Sequence, residues 1–108
     1  MVESSKAVKP WRQDIRAHLL NGDNTPLRRF DGPVTVQLGF LLRRPKSTPK
    51  RVVFPAVRPD IDKLARAVLD AITSAGVIVD DSRVVSLSVT KRYDDRPGVR
   101  IWIDEETE

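Results

Sequence analysis

The sequence predicts an α/β domain of the α+β kind, a mixed β-sheet with two main helices, from two hydrophobic periods and the segment dividing them. Val34, Val36, Leu38, Phe40 and Leu42 recur at every second residue, the spacing of a strand packed on one face. Ile61, Leu64, Ala65, Val68, Leu69 and Ile72 recur at i, i+3, i+4, i+7, i+8 and i+11, the single apolar stripe of an amphipathic helix. Between them, Arg43 to Pro59 carries Pro45, Pro49, Pro55 and Pro59 with Lys and Arg interspersed, which reads as a loop.

In chain order, Pro10 followed by Trp11, Ile15, His18 and Leu19 predicts a helix over Lys6 to Leu20. Asn21-Gly22-Asp23-Asn24 is turn chemistry and should end it. His18 has no second histidine to join it, so it reads as a helix residue and not a ligand. The strand from Pro33 follows, then the basic loop, with a short extended piece at Val52-Val53-Phe54. A loop this long inside a small domain is usually functional or disordered, and its charge suggests contact with DNA. Pro59-Asp60 starts the second helix and Gly76 stops it. After a turn at Asp80-Asp81-Ser82, Val85, Leu87 and Val89 mark a second strand; after Asp95 to Gly98, Val99, Ile101 and Ile103 mark a third. Their short separation predicts an antiparallel hairpin.

Composition narrows the chemistry. A chain of 108 residues is expected to form one domain, residues 1–108, small enough to gain from a partner subunit. It has no cysteine and one histidine, which excludes disulfides, thiolate sites and imidazole-based zinc sites. Any metal must be held by oxygen, which points to Mg²⁺, Mn²⁺ or Ca²⁺. No apolar run approaches the ~20 residues that span a bilayer. Met1-Val2-Glu3-Ser4-Ser5 lacks a signal-peptide pattern, so a cytoplasmic protein is expected. The net charge of +4 argues little by itself, but Arg43, Arg44, Lys46, Lys50, Arg51 and Arg58 crowd one stretch just ahead of the acidic pairs.

Asp60-Ile61-Asp62 sits where loop becomes helix. Two residues apart on a regular helix, side chains point about 160° away from each other. At an N-cap the backbone is not helical, so the Asp60 carboxylate can swing towards that of Asp62. A third carboxylate would come from Asp80 or Asp81. Such a group suits phosphodiester hydrolysis, because a carboxylate-held divalent ion polarises the phosphate and lowers the pKa of water. The plainer alternative stays open: Asp60 as a helix cap, Asp62 as a first-turn acid or partner of Arg66, Asp80-Asp81-Ser82 as a turn.

The blocks Arg58-Pro59-Asp60-Ile61-Asp62-Lys63-Leu64, Leu69-Asp70-Ala71-Ile72, Gly76-Val77-Ile78-Val79-Asp80-Asp81 and Lys91-Arg92-Tyr93 resemble the RusA family of Holliday junction resolvases. The likeness is strongest over residues 58–93. It implies a homodimer that nicks four-way junctions in pairs during DNA recombination and repair, in a bacterial or phage-infected cell. It also implies dependence on Mg²⁺, with Mn²⁺ as a substitute, and products with 5′-phosphate and 3′-hydroxyl ends. Asp60, Asp62 and Asp81 match the family's metal-binding catalytic aspartates; Asp80 matches an acid beside them, and Asp70 a supporting helix acid. Arg66 stands where the best-known members carry a catalytic lysine, and Lys63, one turn earlier, is the other candidate for that role. Arginine can stabilise phosphoryl charge but not act as a base. Lys91 and Arg92 would join the basic loop in holding phosphates. Family members begin with a strand before the first helix, whereas here Lys9-Pro10-Trp11-Arg12 arrives almost at once, so that strand is expected to be shortened or missing. The competing expectation is a RusA-like DNA-binding module with impaired catalysis.

Overall fold

Val34, Val36, Leu38 and Phe40 are each at most 2% exposed, and that burial fixes where their strand must lie. The computed structural model describes residue 15 and residues 17–106. It places this strand, β1 (Val34–Leu42), between β2 (Val84–Tyr93) and β3 (Gly98–Glu105), in the order β2-β1-β3. β1 runs parallel to β2, with Val36 beside Leu87 and Leu38 beside Val89. It runs antiparallel to β3, with Val36 opposite Ile103 and Leu38 opposite Ile101. The sheet is therefore mixed, as expected.

The expected hairpin between the last two strands does not form. β1 lies between them, and the connection at residues 94–97 rounds the C-terminal end of β1, where the Asp94 N–H donates to the Leu42 carbonyl at 2.9 Å. Crossing two inter-strand gaps means covering roughly 10 Å, within reach of five peptide steps. A hairpin would have left one backbone edge of the most deeply buried strand unpaired. Sharing β1 satisfies both its edges instead.

The crossover between the parallel strands is helix α1 (Ile61–Ser74). Leu64, Ala65, Ala67, Val68, Ala71 and Ile72 are buried and join Val34, Val36, Leu38 and Phe40 in one core. Burying each larger side chain stabilises the fold by about 1.5–3 kcal/mol. α1 ends where the sequence predicted. Gly76 takes φ +81°, its N–H donates to the Thr73 carbonyl, and the Val77 N–H donates to that of Ile72, both at 3.0 Å. That paired bonding is the glycine-terminated helix stop.

The expected first helix, Lys6 to Leu20, lies mostly outside the described residues, as does any strand before it. Of its end, Ile15, Ala17 and His18 are helical, Ile15 is buried in the core, and Leu20 bridges to Pro26. Among the described residues no helix is long and apolar enough to cross a membrane.

Candidate metal centre and nucleic-acid interface

Asp60 is the N-cap residue of α1, with an extended backbone at φ −70°, ψ 139°. Its side chain makes no capping hydrogen bond. An aspartate that does cap typically contributes about 1 kcal/mol, so the helix forgoes that stabilisation, and the carboxylate is directed elsewhere. The capping alternative does not describe Asp60. Lys63, one turn on, brings its Nζ to 3.7 Å from Asp60 Oδ2, with both side chains exposed. Such a pair contributes about 0–1 kcal/mol to stability but places positive charge beside the acid. Asp62 is the acidic residue of the first turn, and Arg66 is exposed one turn beyond it.

Asp60 and Asp62 line an open cleft of about 500 Å³ with Val57, Arg58, Ile61 and Lys91. Lys91 reaches it from β2. Its Nζ donates to the carbonyls of Val57 at 2.8 Å and Pro59 at 3.0 Å, tying the loop that precedes α1 to the sheet. The sequence suggested a phosphate contact for Lys91; the structure makes it the clamp that positions the Asp60 backbone, with its charge at the cleft. The signal was present in the pattern, because Lys91 shares the phase of Val89 and lies in register with the buried Phe40.

Asp81 is elsewhere. It opens the 3-10 turn Asp81–Arg83 that follows α1, and its Oδ1 accepts a 2.5 Å hydrogen bond from Thr73 Oγ1, in the last turn of the helix. Fourteen helical residues span roughly 20 Å at 1.5 Å each. Asp60 and Asp62 thus stand at one end of α1 and Asp81 at the other. Among the described residues no three His, Cys, Asp or Glu side chains come together as a metal-holding group. The expected convergence of three carboxylates does not occur within one chain.

Asp80 caps the 3-10 turn, its Oδ2 accepting from the Ser82 N–H at 3.1 Å. The Ser82 hydroxyl and then the Ser82 N–H hold its pKa below the ordinary carboxylate value. Asp80, expected beside the metal, is engaged in local structure.

The basic segment divides in the same way. Arg44 Nη2 donates to the carbonyls of Val52 at 2.8 Å and Lys50 at 3.2 Å, and its guanidinium lies 5.4 Å from the centre of the Tyr93 ring. Arg44, where the sequence suggests a phosphate contact, also shapes the loop from within. Arg43, Lys46, Lys50, Arg51, Arg58 and Arg92 are exposed.

Asp60 and Asp62 fit a hard divalent cation. They are oxygen donors, Asp60 is not taken up by capping, and the cleft is open enough to admit water and a phosphate.

Residues 1–104 match the protein family described as Endodeoxyribonuclease RusA. Among curated proteins, the chain is 30% identical over 97 residues to "Uncharacterized protein YqaN" of Bacillus subtilis (strain 168), a stretch covering 81% of this chain and 68% of that protein.

Proposed function

Because the chain belongs to the RusA family of endodeoxyribonucleases, we propose that it resolves four-way DNA junctions as a homodimer with two composite sites. In each site, one subunit supplies Asp60 and Asp62, and its partner supplies Asp81. The observation that carries this reading is the position of Asp81, tied to Thr73 roughly one helix length from the other two. A two-fold axis that sets two copies of α1 antiparallel brings the N-terminal end of each beside the C-terminal end of the other. The surface around Asp80 and Asp81 suits such a contact, since Val79 and Val85, which flank them closely in the chain, are exposed.

A Mg²⁺ or Mn²⁺ ion at this site would neutralise phosphoryl charge and lower the pKa of the attacking water. Lys63 and Arg66 place cations along the same turn of α1, where they stabilise charge developing on the scissile phosphate. Arg66 does this as a permanent cation and takes no proton. Lys91 fixes the loop so that Asp60 meets the cleft in one orientation. Asp80 caps its turn and takes no ligand role. The exposed cations Arg43, Lys46, Lys50, Arg51, Arg58 and Arg92 hold the DNA backbone, with an affinity that falls steeply as salt rises.

Mixing two inactive variants tests the arrangement. In a heterodimer of Asp62→Asn with Asp81→Asn, one composite site carries both substitutions and the other carries neither. Co-expression should therefore restore junction nicking to about a quarter of the wild-type rate, since half the dimers are mixed and each holds one intact site. A mixture as inactive as its parents would reject sites shared between subunits. Arg66 at the lysine position favours a second reading, a junction-binding protein with impaired chemistry. Binding of a labelled junction by the wild type without Mg²⁺-dependent nicking would support that reading instead.

A further inference from the structure

Phe54 is 69% exposed, the most exposed large apolar residue among the described residues, and Val57, three residues on, is 61% exposed. Neither is on a loosely held segment. Immediately before Phe54, the Val52 carbonyl accepts from Arg44 at 2.8 Å and the Val53 carbonyl accepts from the Tyr93 N–H at 2.9 Å. Immediately after it, Pro55 is buried, and the Val57 carbonyl is held by Lys91. The backbone is anchored to the body of the protein on both sides, while the ring faces solvent. Folding has not hidden this aromatic group, and the loop cannot readily turn it inward.

Its surroundings suggest what would cover it. Lys50 and Arg51 precede Phe54, and Arg58 follows it; all are exposed. Val57 and Arg58 line the cleft of Asp60 and Asp62, and Val57 is three residues from Phe54, so their Cα atoms are at most about 11 Å apart. An exposed ring flanked by cations is poorly matched to an apolar protein surface, which would have to bury those charges unpaired. It matches nucleic acid, whose phosphates meet the cations and whose bases offer a flat apolar face. Within a continuous duplex those faces are covered by neighbouring pairs. At a branch point stacking is interrupted, and an apolar side chain can enter at lower cost.

We propose that Phe54 stacks on a base opened at the branch point, so that recognition of the junction is coupled to placing the neighbouring phosphate at Asp60 and Asp62. This rests on the branched-DNA reading above. Phe54 is a positioning residue, and its contribution separates from phosphate binding because duplex DNA presents phosphates but no open base.

The test uses the Asp62→Asn protein, expected to bind without cutting, and a four-way junction with 2-aminopurine at the branch point. Binding should raise the fluorescence as the base unstacks. Adding Phe54→Ala should remove that rise and weaken junction binding by about 5–100-fold, with duplex affinity unchanged. Phe54→Trp should retain both properties. An equal fluorescence rise with Phe54→Ala would overturn the proposal. So would loss of the dimer in that variant by light scattering, which would make Phe54 a subunit contact. If the Asp62→Asn protein failed to bind the junction at all, the branched-DNA reading itself would fall, and the stacking role with it.

Discussion

At the N-terminal end of α1, Asp60 and Asp62 face an open cleft, and the Asp60 carboxylate leaves its helix uncapped. At the C-terminal end, Asp80 and Asp81 are each held by a neighbouring hydroxyl or N–H, Asp80 by Ser82 and Asp81 by Thr73. Four aspartates that look alike in the sequence are in two different situations. In the first pair, Asp60 makes no capping hydrogen bond and lies 3.7 Å from the exposed Lys63 ammonium. In the other pair, Asp80 completes a turn and Asp81 is kept in a fixed position at the edge of the molecule. The difference teaches that acidity near a helix end does not distinguish ligand from cap; what the carboxylate accepts from does.

Removing single groups from the two ends should give effects of different kinds. Asp62→Asn should lower Mg²⁺-dependent junction cleavage on the order of 10²-fold or more, the scale of losing one charge-stabilising group from an active site, with junction affinity retained in a gel-shift assay. Asp80→Asn should leave cleavage within about tenfold of wild type, in the range where a supporting contact acts. Equal losses for both would erase the contrast between the two ends. Thr73→Val removes the hydroxyl that holds Asp81 and should cost about 0.5–1.5 kcal/mol of stability, read as a lower urea midpoint at unchanged slope. An unchanged midpoint would mean that the hydroxyl holds nothing.

The smallest effect concerns pH. The Ser82 hydroxyl and N–H depress the Asp80 pKa in the folded protein. The stability linked to that depression is complete above the unfolded carboxylate value, about 3.9, and is lost as pH falls through the lower folded value. Ser82→Ala removes the largest of the causes and should move the Asp80 titration upward in carbon-detected NMR. A titration that did not move would assign the depression to the backbone N–H groups and the Arg83 charge.

Much of this was legible in the residues. The alternation of Val34 to Leu42 gave β1, and the stripe from Ile61 to Ile72 with Gly76 beyond it gave α1. The pairing of β2 and β3 was not, because alternation assigns a face but not a neighbour, and only the burial of β1 on the core side requires a strand at each of its edges. The distance from Asp62 to Asp81 could have been read from helix rise alone: a strand that starts straight after a long helix starts at that helix's far end. Arg44 and Lys91 were read by charge, and charge does not reveal that a guanidinium or ammonium group will meet carbonyls folded back from its own loop. The sequence leaves Asp60 open as either cap or ligand, and only its geometry removes the first role.

The placement of β1 also has a consequence for synthesis on the ribosome. Val34 is made about fifty residues before its partner Val84, and its other partner, Glu105, comes later still. At ~5–20 residues per second, a markedly apolar segment therefore waits several seconds with both backbone edges open. A nascent chain stalled before β2 would expose a surface prone to sticking to other unfinished chains, and a chaperone at the ribosome would shield it during that interval.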